Sequence, residues 1–101
     1  MTALMLAAAM HTSILATDTD SYAEAHRQIL ATGEPIVVMV GTEWCGPCRQ
    51  MKRTILPQVR RRGLLRRVAF AVVDADRQAR LANRLTGGGP VPQLVMFRRT
   101  S

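Results

Sequence analysis

The hydrophobic positions of this chain fall into short blocks whose spacing switches between strand-like and helix-like. After Pro35, the run Ile36-Val37-Val38-Met39-Val40 is β-branched and unbroken by polar residues, which predicts a strand covered on both faces. Val68-Ala69-Phe70-Ala71-Val72-Val73, ended by Asp74-Ala75-Asp76, predicts a second strand of the same kind, and Leu94-Val95-Met96-Phe97 a last one. His11-Thr12-Ser13-Ile14-Leu15-Ala16, closed by the turn formers Asp18, Thr19 and Asp20, reads as an opening strand.

Helical spacing fills the intervals. Tyr22, Ala25, Ile29 and Leu30 recur on one face, Asp20 or Ser21 is placed to cap the start, and Gly33 stands where a left-handed C-terminal residue is wanted. From Pro47 a helix is expected through Met51, Ile55 and Leu56, with Pro57 kinking or breaking it and the basic turn Gln58 to Leu65 as its continuation. Arg77 to Leu85 predicts a short helix with Leu81, Ala82 and Leu85 inward and Arg77, Arg80 and Arg84 outward, capped by the carboxylates of Asp74 and Asp76. Gly87-Gly88-Gly89-Pro90 forces a loop. The resulting order, βαβαβαβ, predicts an α/β fold whose early strands pair in parallel through right-handed crossovers.

At 101 residues the chain suffices for one domain. The reading divides it into an apolar leader or flexible N-terminus, residues 1–10, and a domain over residues 11–101. Met1 to Met10 resembles the apolar core of an export signal but lacks its positive flank, because the first basic residue is Arg27. The compartment stays open between cytoplasm and periplasm. No run approaches the roughly 18 apolar residues that span a bilayer, so no transmembrane segment is expected.

Composition narrows the classes. With 48% hydrophobic and 21% charged residues, a disordered tail is excluded. Two cysteines are too few for a disulfide-stapled miniprotein, and the addition of His11 and His26 does not make a structural zinc set, so no metal and no separate cofactor are expected. The net charge is +7, and Lys52 is the only lysine among 14 basic residues. Such a surface favours acidic partners. The densest cluster, Arg60-Arg61-Arg62 with Arg66-Arg67, has no interleaved aromatics for base stacking, so it reads as a solvated helix face and no specific nucleic-acid partner is expected.

The chemistry is concentrated in Trp44-Cys45-Gly46-Pro47-Cys48, at the turn from a buried strand into a helix. Two cysteines separated by two residues come within bonding distance across one helical turn and can alternate between dithiol and disulfide. Cys45 at the helix start faces unpaired backbone N–H groups that favour a thiolate, which lowers a thiol pKa from ~8.5 to roughly 3.5–7.5 at such sites. That makes Cys45 the expected nucleophile and Cys48, one turn deeper, the resolving thiol. Pro47 suits the first helical turn, and Trp44 offers a flat apolar wall. Half of a zinc site is the competing reading of a C-x-x-C pair, but no second pair is present.

These five residues match the active-site motif of thioredoxins letter for letter, and the resemblance extends from about His11 to Phe97. It implies a thioredoxin-like three-layer fold with a mixed central sheet. It also implies a cis-proline facing the cysteines and offering backbone groups to the substrate, a role that falls on Val91-Pro92. The implied activity is thiol:disulfide oxidoreduction in cell redox homeostasis, with disulfide-containing proteins as substrates and a redox partner protein to reset the pair.

The chain also departs from that pattern. Met39 stands where thioredoxins usually carry a buried aspartate that moves protons for the resolving cysteine, and the nearest carboxylate, Glu43, lies on the loop. Gln93 replaces the threonine that usually follows the cis-proline. Thr54 to Val59 resembles the thioredoxin-like domain at the C-terminal end of the bacterial thiol:disulfide interchange protein. The final strand and helix of a thioredoxin find no residues after Phe97, which predicts a bare edge at Leu94 to Phe97, covered by the N-terminal segment, by self-association, or by residues the sequence lacks. The alternative function is therefore a non-catalytic thioredoxin-like interaction module.

Overall fold

The computed structural model describes residues 20–99, so the expected leader and the expected strand His11–Ala16 lie outside the described residues. The described chain begins with helix α1 (Tyr22–Thr32) and strand β1 (Ile36–Gly41). A helical run follows as α2 (Gly46–Gln50), a π-helical stretch (Met51–Ile55) and α3 (Leu56–Arg61). Strand β2 (Ala69–Asp74), helix α4 (Ala79–Thr86) and strand β3 (Gln93–Phe97) complete it.

The sheet order is β2-β1-β3, with β1 parallel to β2 and antiparallel to β3. Side-chain alternation sorts β1 between two layers. Ile36, Val38 and Val40 join Ala69, Ala71 and Val73 of β2 in a core closed by Ala25 and Ile29 of α1 and Ala82 of α4. Met39 faces the other way and packs with Cys45, Cys48 and Leu56 beneath the α2–α3 run. Helices thus cover both faces of β1, which is why its sequence shows no polar alternation.

Local signals explain most boundaries. Ser21 is the N-cap of α1, its hydroxyl accepting from the Glu24 N–H at 3.1 Å, and Gly33 closes the helix at φ +77°. Ile29 is buried as expected, whereas Leu30 points outward. His26 is exposed and stacks on Tyr22 with ring centroids 5.9 Å apart.

Three expectations are corrected. Pro57 does not break its helix: the backbone stays helical through Ile55 and Leu56, and the Leu56 N–H reaches back to Met51 O. The wider π turn just upstream absorbs the missing N–H and the crowding that a proline brings to an α-helix. The helix ends at Arg61 rather than Leu65, and Gly63 at φ +76° turns the chain away. At the third site, Asp74 folds the turn after β2, its Oδ1 accepting from the N–H groups of Asp76 at 2.8 Å and Arg77 at 3.3 Å, so α4 begins at Ala79 with no side-chain cap.

Leu94 and Met96 share the α2–α3 side of the sheet with Met39 but lie beyond those helices and are exposed. Among the described residues β3 is an edge strand. No helix among the described residues is long and apolar enough to cross a membrane.

Candidate functional site

Strand β1 ends at Gly41, and the chain turns through Thr42, Glu43 and Trp44 into α2, placing both cysteines at the C-terminal end of a parallel pair of strands. Cys45 is the N-cap of α2 with extended backbone, and its sulfur accepts from the Cys48 N–H at 3.2 Å. Pro47 occupies the first turn, where its missing N–H costs no hydrogen bond. The two sulfurs are bonded as a disulfide, with the Cα atoms 5.2 Å apart. Both cysteines are buried, Cys48 fully, while Cys45 retains 7% exposure, so Cys45 is the member of the pair that comes nearer to solvent.

Two loops complete the rim. The glycine-rich turn runs through Gly87, Gly88 and Gly89, all at positive φ, and delivers Val91-Pro92, joined by a cis peptide, opposite the cysteines. The Val91 carbonyl oxygen lies 3.9 Å from Cys45 Sγ. Gln93 anchors this loop: its side-chain amide donates to Gly88 O at 3.1 Å and Pro90 O at 2.8 Å. On the other side Trp44 is 70% exposed, and its indole N–H donates to Asp76 Oδ2 at 2.8 Å. The ring is therefore held as a fixed surface beside the disulfide. Glu43 is solvated, as expected, and its carboxylate pairs with Arg77 at 3.8 Å.

A family model described as thioredoxin-like matches residues 17–98. The chain belongs to the thioredoxin-like family. The fold is similar to that of the crystal structure of the germline-specific thioredoxin Deadhead from Drosophila melanogaster, with a TM-score of 0.61 and 24% sequence identity over 82% of this chain and 77% of that one. No curated protein matches the chain. The mixed sheet with helices on both faces is that of a thioredoxin-like fold, and the C-x-x-C pair gives this member a disulfide-capable centre.

Among the residues that the sequence singled out, Trp44, Cys45, Gly46, Pro47, Cys48, Val91 and Pro92 come together at one end of the sheet. A Cβ added at Gly46 would meet no neighbour within 4 Å, so no contact among the described residues requires glycine there. Arg60, by contrast, lies over the Phe70 ring at 5.0 Å and pairs with Asp20, away from the cysteines. Among the described residues no cluster of three His, Cys, Asp or Glu side chains is placed to hold a metal.

Sequence reasoning missed Gly41. A Cβ there would sit 2.9 Å from Cys48 Sγ and 3.2 Å from Met39 Cε, so the backbone of β1 makes room for the inner sulfur. A glycine ending an otherwise branched strand, directly before the motif, is the available signal. It also missed the Gln93 anchor and the buried Thr42 hydroxyl, which has no hydrogen-bond partner among the described residues.

Proposed function

We propose that this thioredoxin-like protein is a thiol:disulfide oxidoreductase acting on protein disulfides. The observation that carries the reading is the asymmetric pair: a bonded Cys45–Cys48 disulfide in which Cys48 is fully buried and Cys45 keeps the residual exposure, beside the Val91 carbonyl. In the reducing direction the Cys45 thiolate attacks a substrate sulfur, forms a mixed disulfide and releases the partner sulfur as a thiol. The Cys48 thiolate then attacks Cys45 Sγ, breaking the mixed disulfide. Two electrons pass to the substrate, which leaves as two thiols, and the protein leaves as the disulfide. An external dithiol resets it. Val91 and Pro92 supply the backbone edge against which the substrate chain lies.

Thiol labelling tests the couple. The protein should expose two alkylatable thiols under reducing, unfolding conditions and none after mild oxidation; two thiols that survive oxidation contradict the reading.

Met39 bears on the rate. Fully buried among Cys48 and Leu56, it leaves the resolving sulfur with a thioether where the family resemblance expects an acid. Met39→Asp should speed disulfide reduction by easing proton removal from Cys48. The same change should lower stability by several kcal/mol, because a buried carboxyl loses its hydration. Paired turnover and urea-unfolding measurements check both, and a folded variant with unchanged turnover would assign proton transfer to solvent.

A further inference from the structure

We propose that the basic face formed by Arg49, Lys52 and Arg53 selects disulfide-bearing segments that carry acidic side chains, a refinement that rests on the thiol:disulfide reading above. The three residues follow Cys48 on the helical run and are all exposed. With Glu43 they line a groove of about 390 Å³. Two of its lining residues bracket the reactive pair in the chain: Glu43 lies two residues before Cys45 and Arg49 immediately follows Cys48.

Its electrostatics are set by how the neighbouring groups are paired. Arg49 donates to the Glu43 backbone carbonyl at 2.8 Å, which ties the helix to the loop. The Glu43 carboxylate, the one acid lining the groove, instead pairs with Arg77 from the turn before α4. Among the described residues no carboxylate lies within ion-pair distance of Lys52 or Arg53. Two uncompensated cations thus lie roughly two helical turns beyond Cys45, within reach of residues a few positions from a bound cystine, in a chain whose net charge of +7 adds a long-range field of the same sign. A segment whose cystine meets Cys45 would place neighbouring residues in this groove, where carboxylates gain attraction and basic residues meet repulsion. The groove lining holds no aromatic ring on which a nucleobase could stack, which favours an acidic peptide over a single-stranded nucleic acid.

The test compares peptides of one length and one internal disulfide, flanked by acidic, neutral or basic residues, as substrates of the reduced protein. The acidic peptide should be reduced about tenfold faster than the neutral one at ~0.05 M salt, and the ratio should fall toward one at ~0.5 M, as screening shortens the reach of exposed charges. In the double variant Lys52→Gln, Arg53→Gln the low-salt ratio should drop to about two or less. The charge-matched control Arg80→Gln, Arg84→Gln on α4 should keep it. Equal rates for all peptides, or a ratio that survives in the Lys52/Arg53 variant, overturns the proposal. Binding of the same peptides with serine in place of cysteine, followed by Trp44 fluorescence, separates the two claims. An acidic preference that depends on Lys52 and Arg53 without any reduction retains the docking face and removes the oxidoreductase reading. No preference in binding removes the docking face, as does tighter binding of an unstructured RNA oligonucleotide.

Discussion

Replacing Cys48 with serine is expected to leave Cys45 covalently attached to its substrate. Cys45 keeps its residual exposure and its place at the start of α2, so the first exchange proceeds. The sulfur that would break the mixed disulfide is gone, and the serine hydroxyl in its place is no nucleophile toward sulfur. The adduct should accumulate to near stoichiometry and disappear on adding an external dithiol, which non-reducing electrophoresis reads directly. Cys45→Ser should form no adduct and should show only the uncatalysed rate of disulfide reduction. Trapping through Cys48 in that variant would reverse the roles, and the complete burial of Cys48 argues against it.

Gly41→Ala carries the second large effect. The added Cβ would lie 2.9 Å from Cys48 Sγ, closer than such atoms tolerate, and 3.1 Å from Cys48 Cβ, while Met39 Cε at 3.2 Å is a flexible side-chain tip that can give way. In the disulfide Cys48 Sγ is tied to Cys45 and cannot rotate away; in the dithiol it can. The substitution should therefore cost about 1–3 kcal/mol of stability in the oxidised form, as overpacking does. It should disfavour the disulfide against the dithiol by about tenfold, equivalent to ~30 mV in reduction potential. Equilibration against a glutathione buffer measures the shift, and an unchanged potential with unchanged unfolding would show that β1 does not confine the inner sulfur.

How far the sequence reveals this site depends on the range of the interactions. The Ser21 cap, the Gly33 terminus and the Ile36 to Val40 run are local patterns, and each reappears within a residue or two of its expected place. The Trp44 to Cys48 motif is equally local, because its chemistry needs only a strand, a turn and a helix start. Pro57 misleads because a local rule is overridden: the π turn at Met51–Ile55 accommodates the ring, and burial of Leu56 under the sheet favours keeping the helix. Asp74 misleads because a carboxylate at a strand end serves a turn as readily as a helix cap. The contacts of Gly41 with Cys48, of Trp44 with Asp76 and of Gln93 with the glycine loop depend on how separate segments meet in space, and no spacing rule discloses them.

The antiparallel β3 follows the same logic. The order of elements points to parallel pairing, and the mixed sheet is an expectation carried by the family resemblance, because the direction of a strand after a long loop is set by tertiary packing. Helix α4 lies between β2 and β3, but the loop through Gly87 to Pro92 brings the start of β3 to the C-terminal end of β1, with Gln93 beside Val40, so β3 runs against β1.

The central claim is that Cys45 and Cys48 turn over protein disulfides, and insulin reduction driven by an excess of dithiothreitol measures it most directly. Catalytic amounts of the protein should shorten the lag before the freed insulin chains precipitate, and Cys45→Ser should restore the lag of dithiothreitol alone. A wild-type protein that leaves the lag unchanged, while thiol labelling shows its own disulfide forming and opening, would contradict the account.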